Sequence, residues 1–158
     1  MVRAILNEGW MQTAPAKLKR PFHLVVSGVR ATHAILNTAT AMTSQVRVLG
    51  QPLFQYETPD GYSDAMEFWV GNMTPRWAFG TSLANSTSTT NVNVDVSLYL
   101  AGSRDAVVDR IQAEIFGTEL SLAAREQLLT YIRTGTFNAT RVRETIALAL
   151  SMHEFQWY

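Results

Sequence analysis

The three histidines are the residues best suited to bind metal or transfer protons near neutral pH, but their spacing favours neither role. A helix presents two ligands on one face when they lie three or four residues apart, and no two of His23, His33 and His153 do so. His33 lies on an apolar helical stripe, which is typical of a hydrogen-bonded core histidine. His153 and its neighbour Glu154 point in different directions on a helix, as at a solvated end. The sequence therefore predicts no metal site.

Three carboxylates surround an aromatic stretch, where a pair of them would be suited to acid–base chemistry. Asp60 stands in a Pro-Asp-Gly sequence typical of a β-turn, and Asp64, three residues before Glu67, resembles the N-cap of a capping box. Backbone chemistry explains both, and only Glu57 stays unassigned. The sequence assigns no catalytic residue.

Composition excludes several other classes of function. The chain has no cysteine, which rules out disulfides and thiolate chemistry, and it lacks both common glycine-rich phosphate loops. Its 158 residues include 13 basic and 13 acidic side chains, so no net field attracts nucleic acid or an anionic membrane. No apolar run reaches the roughly 20 residues that span a bilayer. We expect no cofactor, no nucleic-acid partner and no membrane span.

Residues 50–62 contain prolines, glycines and aromatic residues, and they separate two helical regions. Pro52 and Pro59 exclude a helix, while the leucine and the aromatic rings are too apolar for a solvated linker. We therefore predict a long ordered loop packed against the flanking helices.

The rings around this loop suffice for a groove that holds a glycan or a peptide, although such residues more often form core. The basic residues before Pro21 lie at the unfavourable end of a helix dipole, so Arg20 is expected to have a carboxylate partner such as Glu57 or Asp60. The candidate binding residues are Arg20, Phe54, Tyr56, Asp60, Tyr62 and Trp69.

Apolar residues at helical spacing flank the loop on both sides. Pro21 predicts the start of a helix whose apolar face runs from Phe22 through His33 to Leu36, and Gly28 within it indicates a close helix neighbour. A further helix is expected to end at Gly50. Helix caps are predicted at Asp64, Thr74, Ser103 and Ser121, and a last helix is predicted to start after Asn138.

These patterns predict an all-α fold, an irregular single-domain helical bundle over residues 1–158 with one long ordered Pro/Gly/aromatic loop. Residues 85–97 are predicted to form a mobile polar loop followed by an extended segment that has no partner strand. Helical spacing also begins in the first residues, at Val2, Ile5, Leu6 and Trp10, without a cap before them. Met1 is therefore expected to be an internal start within a longer gene product.

Four blocks resemble, in order and spacing, the C-terminal part of the domain of unknown function 1800 family of large bacterial proteins. They are Val-Arg-Ala-Ile-Leu at 2–6, Lys-Arg-Pro within 19–30, Gly-Gln-Pro-Leu-Phe within 49–62, and the closing residues 149–157. The resemblance implies a helical fragment of a larger, exported bacterial parent and no established activity. It also implies an interaction module whose partner is the missing N-terminal region, another protein or a second copy. The alternative is a pocket-forming part of an enzyme or of a glycan- or peptide-binding protein.

Overall fold

A computed structural model describes residue 9, residues 13–117 and residues 120–158, and it confirms an all-α fold. The helix predicted from Val2 to Trp10 lies outside the described residues. The α-helices are α1 (Pro21–Ala31), α2 (Thr40–Val48), α3 (Met73–Ala84), α4 (Ser97–Leu100), α5 (Arg104–Ile111), α6 (Leu122–Arg133), α7 (Ala139–Ser151) and α8 (His153–Gln156). Short 3-10 turns cover Met66–Phe68 and Val70–Asn72, and a π-helical turn, Gln112–Phe116, continues α5. Among the described helices, none is long and apolar enough to cross a membrane.

Helix α3 packs closely against α7 on one side and α1 on the other, because a glycine lies at each of the two contacts. A Cβ atom added at Gly80 of α3 would lie only 3.2 Å from Cβ of Leu150 on α7. A Cβ atom at Gly28 of α1 would lie 3.0 Å from Cε1 of Phe79 on α3. The close helix neighbour predicted from Gly28 is therefore confirmed. Phe79 and Leu150 are both buried in the core.

Helix α1 ends five residues before the predicted Leu36, and its buried face is only partly the predicted one. Pro21 begins the helix and Val25 of the apolar face is buried, as expected, but Leu24 is buried as well and Phe22 is 42% exposed. His33 adopts φ +50°, the left-handed conformation in which a helix usually ends at glycine, and its side chain is 72% exposed. The prediction of a core histidine at position 33 is therefore wrong.

The chain after α1 forms a short strand instead of continuing as helix. Strand β1 (Ile35–Leu36) pairs antiparallel with β2 (Val92–Asn93), with Leu36 opposite Val92. The prediction that the Val92 segment lacks a partner strand is wrong, because its partner was assigned to α1. Within the polar run, the amide of Ser88 donates to the Val92 carbonyl at 2.9 Å. The mobility predicted for residues 85–97 stays a prediction.

Local capping signals fix the later helices as the sequence predicts. The side chains of Ser103, Ser121 and Asn138 accept hydrogen bonds from the backbone amides at the starts of α5, α6 and α7. The cap predicted at Thr74 is wrong, because α3 begins one residue earlier, at Met73, without a side-chain capping bond. The few residues between α6 and α7 join helices that pack on each other.

Arg76 of α3 is completely buried and joins two distant segments. Its Nη1 donates to Oε1 of Gln156 at 3.1 Å and its Nη2 to the carbonyl of Lys19 at 2.7 Å, while its Nε has no hydrogen-bond partner. Burial lowers the pKa of this guanidinium, which forms no ion pair within the described ranges. Residues 17–19 also pair with the last residues of the chain, since the Lys17 amide donates to the Tyr158 carbonyl at 2.8 Å.

Candidate functional site

The loop that carries the predicted site is anchored where it leaves α2. Gly50 takes φ +91° and ends the helix, as predicted, and the next residue, Gln51, is buried. Oε1 of Gln51 accepts a hydrogen bond of 2.9 Å from the amide of Phe22 in the first turn of α1. Leu53 packs against the core. The base of the loop is therefore tied to both α1 and the bundle interior.

Four aromatic rings, which we call the aromatic ladder, follow one another from the loop into the 3-10 turns. The ring centroids of Tyr56 and Tyr62 lie 4.5 Å apart, those of Tyr62 and Trp69 5.9 Å, and those of Trp69 and Phe68 4.7 Å. These separations are typical of attractive tilted and edge-to-face pairs. The ladder is thus a continuous set of ring contacts.

Two hydrogen bonds hold the inner rings of the aromatic ladder in place. Nε1 of Trp69 donates to the Ser63 carbonyl at 2.9 Å, and the hydroxyl of Tyr62 donates to the Pro52 carbonyl at 2.8 Å. Trp69 is only 1% exposed. Because both polar tips are bonded to backbone, the inner rings cannot rotate freely and the outer rings rest on a fixed base.

The outer rings of the aromatic ladder face solvent. Tyr56 is 38% exposed and Phe68 is 51% exposed, and Met66 beside them on the chain is also exposed. Phe54 is 103% exposed and takes φ +59°, without a ring contact to the ladder. The prediction that the loop packs its rings against helices is therefore wrong at Phe54, whose side chain projects fully from the surface.

The aromatic ladder belongs to residues 48–75, which we call the ladder segment. Arg20 forms an ion pair with an aspartate of this segment. Its Nη1 lies 2.9 Å from Oδ1 of Asp64, and Nζ of Lys17 lies 3.5 Å from the same oxygen. Neither Glu57 nor Asp60 pairs with Arg20 in the described part of the chain. Arg20 therefore has a carboxylate partner, as predicted, but that partner is Asp64 and neither of the two residues named as examples.

Asp64 is consequently not a helix cap. The residues after it form the 3-10 turn Met66–Phe68, whose first residues receive no side-chain cap from Asp64. Oγ of Ser63 instead accepts from the Ala65 amide at 3.1 Å. The predicted capping box with Glu67 is wrong, and Asp64 attaches the ladder segment to the chain before α1.

The ladder segment has a strongly one-sided charge. Residues 48–75 contain four carboxylates and no lysine, arginine or histidine. Apart from Asp64, those carboxylates, at Glu57, Asp60 and Glu67, form no ion pair with any described residue. A hydrogen bond from the Thr58 side chain lowers the pKa of Asp60, which keeps that exposed carboxyl ionised. Three exposed carboxylates without an ion pair to a described residue therefore lie in the same chain segment as the exposed rings, while the cation Arg47 of α2 lines a cavity with Phe54.

The structure brings together three of the six predicted site residues, Tyr56, Tyr62 and Trp69. Arg20 reaches only the edge of the segment through Asp64, while no hydrogen bond or ring contact joins Phe54 or Asp60 to the ladder in the described ranges. Phe68 was not among the six candidate binding residues, although its place in the chain next to Trp69 was a usable signal. Fixed rings with exposed outer faces are suited to binding rather than to proton transfer.

Metal chemistry has no support in this part of the molecule. Across residue 9 and residues 13–117 and 120–158, no group of three histidine, aspartate or glutamate side chains converges on one point. The carboxylates of the ladder segment are separated by backbone turns and are exposed.

Comparison with known proteins identifies the family of the chain but no described relative. No curated protein and no solved structure matches the sequence. The family model described as "Protein of unknown function (DUF1800)" matches residues 1–157, which is almost the whole chain. The chain therefore belongs to the DUF1800 family.

Proposed function

We propose that this chain is a protein-interaction module that binds a positively charged segment of a partner through the aromatic ladder and Phe54. In the full bacterial parent, which we propose is exported, that partner is either the N-terminal region or a separate protein. The observation that carries the proposal is the aromatic ladder, whose inner rings are hydrogen-bonded and whose outer rings are open to solvent.

Preorganisation supports binding by this surface. A mobile side chain loses conformational freedom when a partner immobilises it, at a cost of about 0.5–1.5 kcal/mol. Tyr56 and Phe68 already rest on Tyr62 and Trp69, so less freedom is lost on binding. Aromatic residues held in this way are the usual anchors of protein interfaces.

Charge supports the chemical class of the partner. The exposed carboxylates at Glu57, Asp60 and Glu67 repel an acidic surface and attract lysine and arginine. Arginine side chains also stack on tyrosine and phenylalanine faces, which Tyr56 and Phe68 present. A partner segment that alternates basic and apolar residues satisfies both features.

A second function, a pocket wall of an enzyme, has weaker support at this surface. That alternative requires Tyr56, Asp60 and Tyr62 to converge in an open cleft. The Tyr62 hydroxyl instead donates a hydrogen bond to the Pro52 carbonyl, and the Asp60 carboxylate accepts a hydrogen bond from the Thr58 side chain.

The proposal is tested by fluorescence anisotropy with a labelled peptide of alternating arginine and leucine, and with an alternating glutamate and leucine peptide for comparison. We expect the basic peptide to bind, the acidic peptide not to bind, and the affinity for the basic peptide to fall with added salt. Phe68→Ser is expected to weaken binding about tenfold, the loss of about 1.4 kcal/mol typical of an aromatic anchor.

Leu122→Ser is the matched control, because Leu122 is 87% exposed on α6, outside the ladder segment. Equal losses for Phe68→Ser and Leu122→Ser would show that the peptide binds exposed apolar residues without selection. Equal affinity for the acidic peptide would refute the charge argument.

A further inference from the structure

A cavity lined by both charged and apolar side chains lies at the end of α1, bordered by α4, α5 and the π-helical turn. It has a volume of about 350 Å³, near the lower end of the roughly 300–1,000 Å³ found for small-molecule sites. The lining residues that matter here are His33, Asp95, Leu98, Tyr99, Arg110 and Glu114. The cavity is independent of the aromatic ladder and of the proposed interaction.

Two unusual backbone conformations meet at this cavity. His33 holds a left-handed conformation at φ +50°, and Glu114 lies in the π-helical turn Gln112–Phe116. Each conformation is costly relative to regular structure, and both kinds are found preferentially at functional sites. Nε2 of His33 lies 3.9 Å from Oε2 of Glu114, so the two irregular segments point their side chains at each other.

Glu114 is fixed by two further donors. Its Oε1 accepts from Nε of Arg110 at 2.7 Å, and its Oε2 accepts from the hydroxyl of Tyr99 at 2.6 Å. Burial and the nearby Glu114 carboxylate raise the pKa of Tyr99, so this hydroxyl stays protonated and keeps donating. Each oxygen of Glu114 keeps a lone pair that these bonds do not use.

The polar groups of the cavity that remain available to a ligand carry charges of both signs, and they include hydrogen-bond donors as well as acceptors. The His33 ring brings two nitrogens that can form hydrogen bonds, and Nη2 of Arg110 makes no hydrogen bond in the described ranges. Hydrogen bonds from the amide and hydroxyl of Ser97 lower the pKa of Asp95, which stays an ionised acceptor. Leu98, 62% exposed, adds an apolar surface.

We propose that this cavity binds a small polyhydroxylated ligand, such as a single sugar ring. A hydroxyl group both donates and accepts, so it matches acceptors at Glu114 and Asp95 as well as donors at Arg110 and His33. A phosphate would face two carboxylates, and an ammonium ion would face the Arg110 guanidinium. The apolar C–H face of a sugar ring matches Leu98.

The test is a titration of the whole chain with D-glucose, D-galactose and D-mannose, followed by the Hε1 resonances of the histidines in NMR spectra. At least one sugar is expected to shift the His33 resonance saturably at millimolar concentration, while His23 and His153 serve as internal references. Inorganic phosphate and ethylammonium chloride are titrated in parallel. No saturable shift with any of the sugars, or tighter saturation by phosphate or ethylammonium, would overturn the proposal.

Variants separate a ligand site from a structural ion-pair cluster. His33→Gly assigns the resonance and removes the ring while suiting the left-handed backbone, so a folded protein is expected. Arg110→Gln is expected to weaken sugar binding about tenfold, through the loss of a charge-assisted donor. Arg125→Gln is the control, because Arg125 pairs with Asp109 outside the cavity. Wild-type sugar affinity in Arg110→Gln would contradict the assignment.

Discussion

Phe54 is the residue at which stability and the proposed function oppose each other most clearly. Its φ of +59° costs a residue with a side chain about 1–2 kcal/mol relative to glycine, which adopts this conformation freely. Its ring is 103% exposed, so it buries no surface that would offset this cost. The structure therefore predicts that Phe54→Gly stabilises the fold and weakens binding of the basic peptide.

The magnitude follows from two opposing contributions. Relief of the left-handed conformation contributes about 1–2 kcal/mol, and the greater freedom of glycine in the unfolded chain removes about 0.5–1 kcal/mol. The net expectation is an increase of about 0.5–1 kcal/mol in the free energy of unfolding. For a chain of 158 residues this corresponds to a rise in Tm of about 2 °C.

The assay is urea denaturation of the wild type and of Phe54→Gly, followed by tryptophan fluorescence, with linear extrapolation to water. Gly61→Ala is the reciprocal control in the same loop. Gly61 has φ +76° and no atom within 4 Å of an added Cβ, so this substitution adds strain without a clash and should destabilise by about 1 kcal/mol. A less stable Phe54→Gly would show that the phenyl ring packs against the protein and would refute the reasoning.

Two further predictions concern the buried Arg76 of α3 and His23 of α1. Arg76→Met should lower the free energy of unfolding by about 1–3 kcal/mol in urea denaturation, because it removes the donor from the Lys19 carbonyl and the Gln156 amide oxygen. Arg125→Met, at a partly exposed arginine that pairs with Asp109, should cost under about 1 kcal/mol. Equal losses would contradict this view of the buried guanidinium. Burial, with Arg20 and Lys17 nearby, lowers the pKa of His23 below 6.5. The unfolded chain therefore binds a proton at this position more readily than the folded chain, and the free energy of unfolding falls as the pH drops from 6.5 through the folded-state pKa. Thermal unfolding should therefore show a smaller drop in Tm below pH 6.5 for His23→Gln than for the wild type, and parallel pH profiles would count against it.

Features that depend on a few neighbouring residues were predictable from the sequence. Ser103, Ser121 and Asn138 start helices because each cap needs only the amides that follow it. Pro21 begins α1 and Gly50 ends α2 for equally local reasons. The helical class of the fold follows from such signals together with apolar spacing.

Features that depend on distant residues were not predictable. Asp64 carries a capping pattern, but Arg20 and Lys17, more than forty positions away in the chain, lie against its carboxylate. His33 ends α1 in a conformation that sequence patterns assign to glycine, and this frees Leu36 to pair with Val92.

The candidate site shows the same division. Its aromatic residues were identifiable because they cluster along the chain, and Tyr56, Tyr62 and Trp69 do come together. Which rings are exposed depends on hydrogen bonds to the Pro52 and Ser63 carbonyls, which composition does not reveal. The cavity beside Glu114 was missed because its residues come from separate helices and a π-helical turn.

The central claim is that the aromatic ladder and Phe54 form the surface that contacts a partner. The most direct measurement is an amide and indole NMR map of the isotopically labelled chain during titration with the alternating arginine and leucine peptide. The claim predicts the largest shifts within residues 54–69, including the indole N–H of Trp69, which anchors the exposed rings. Shifts that are absent there and concentrated on another face of the helical bundle would contradict it.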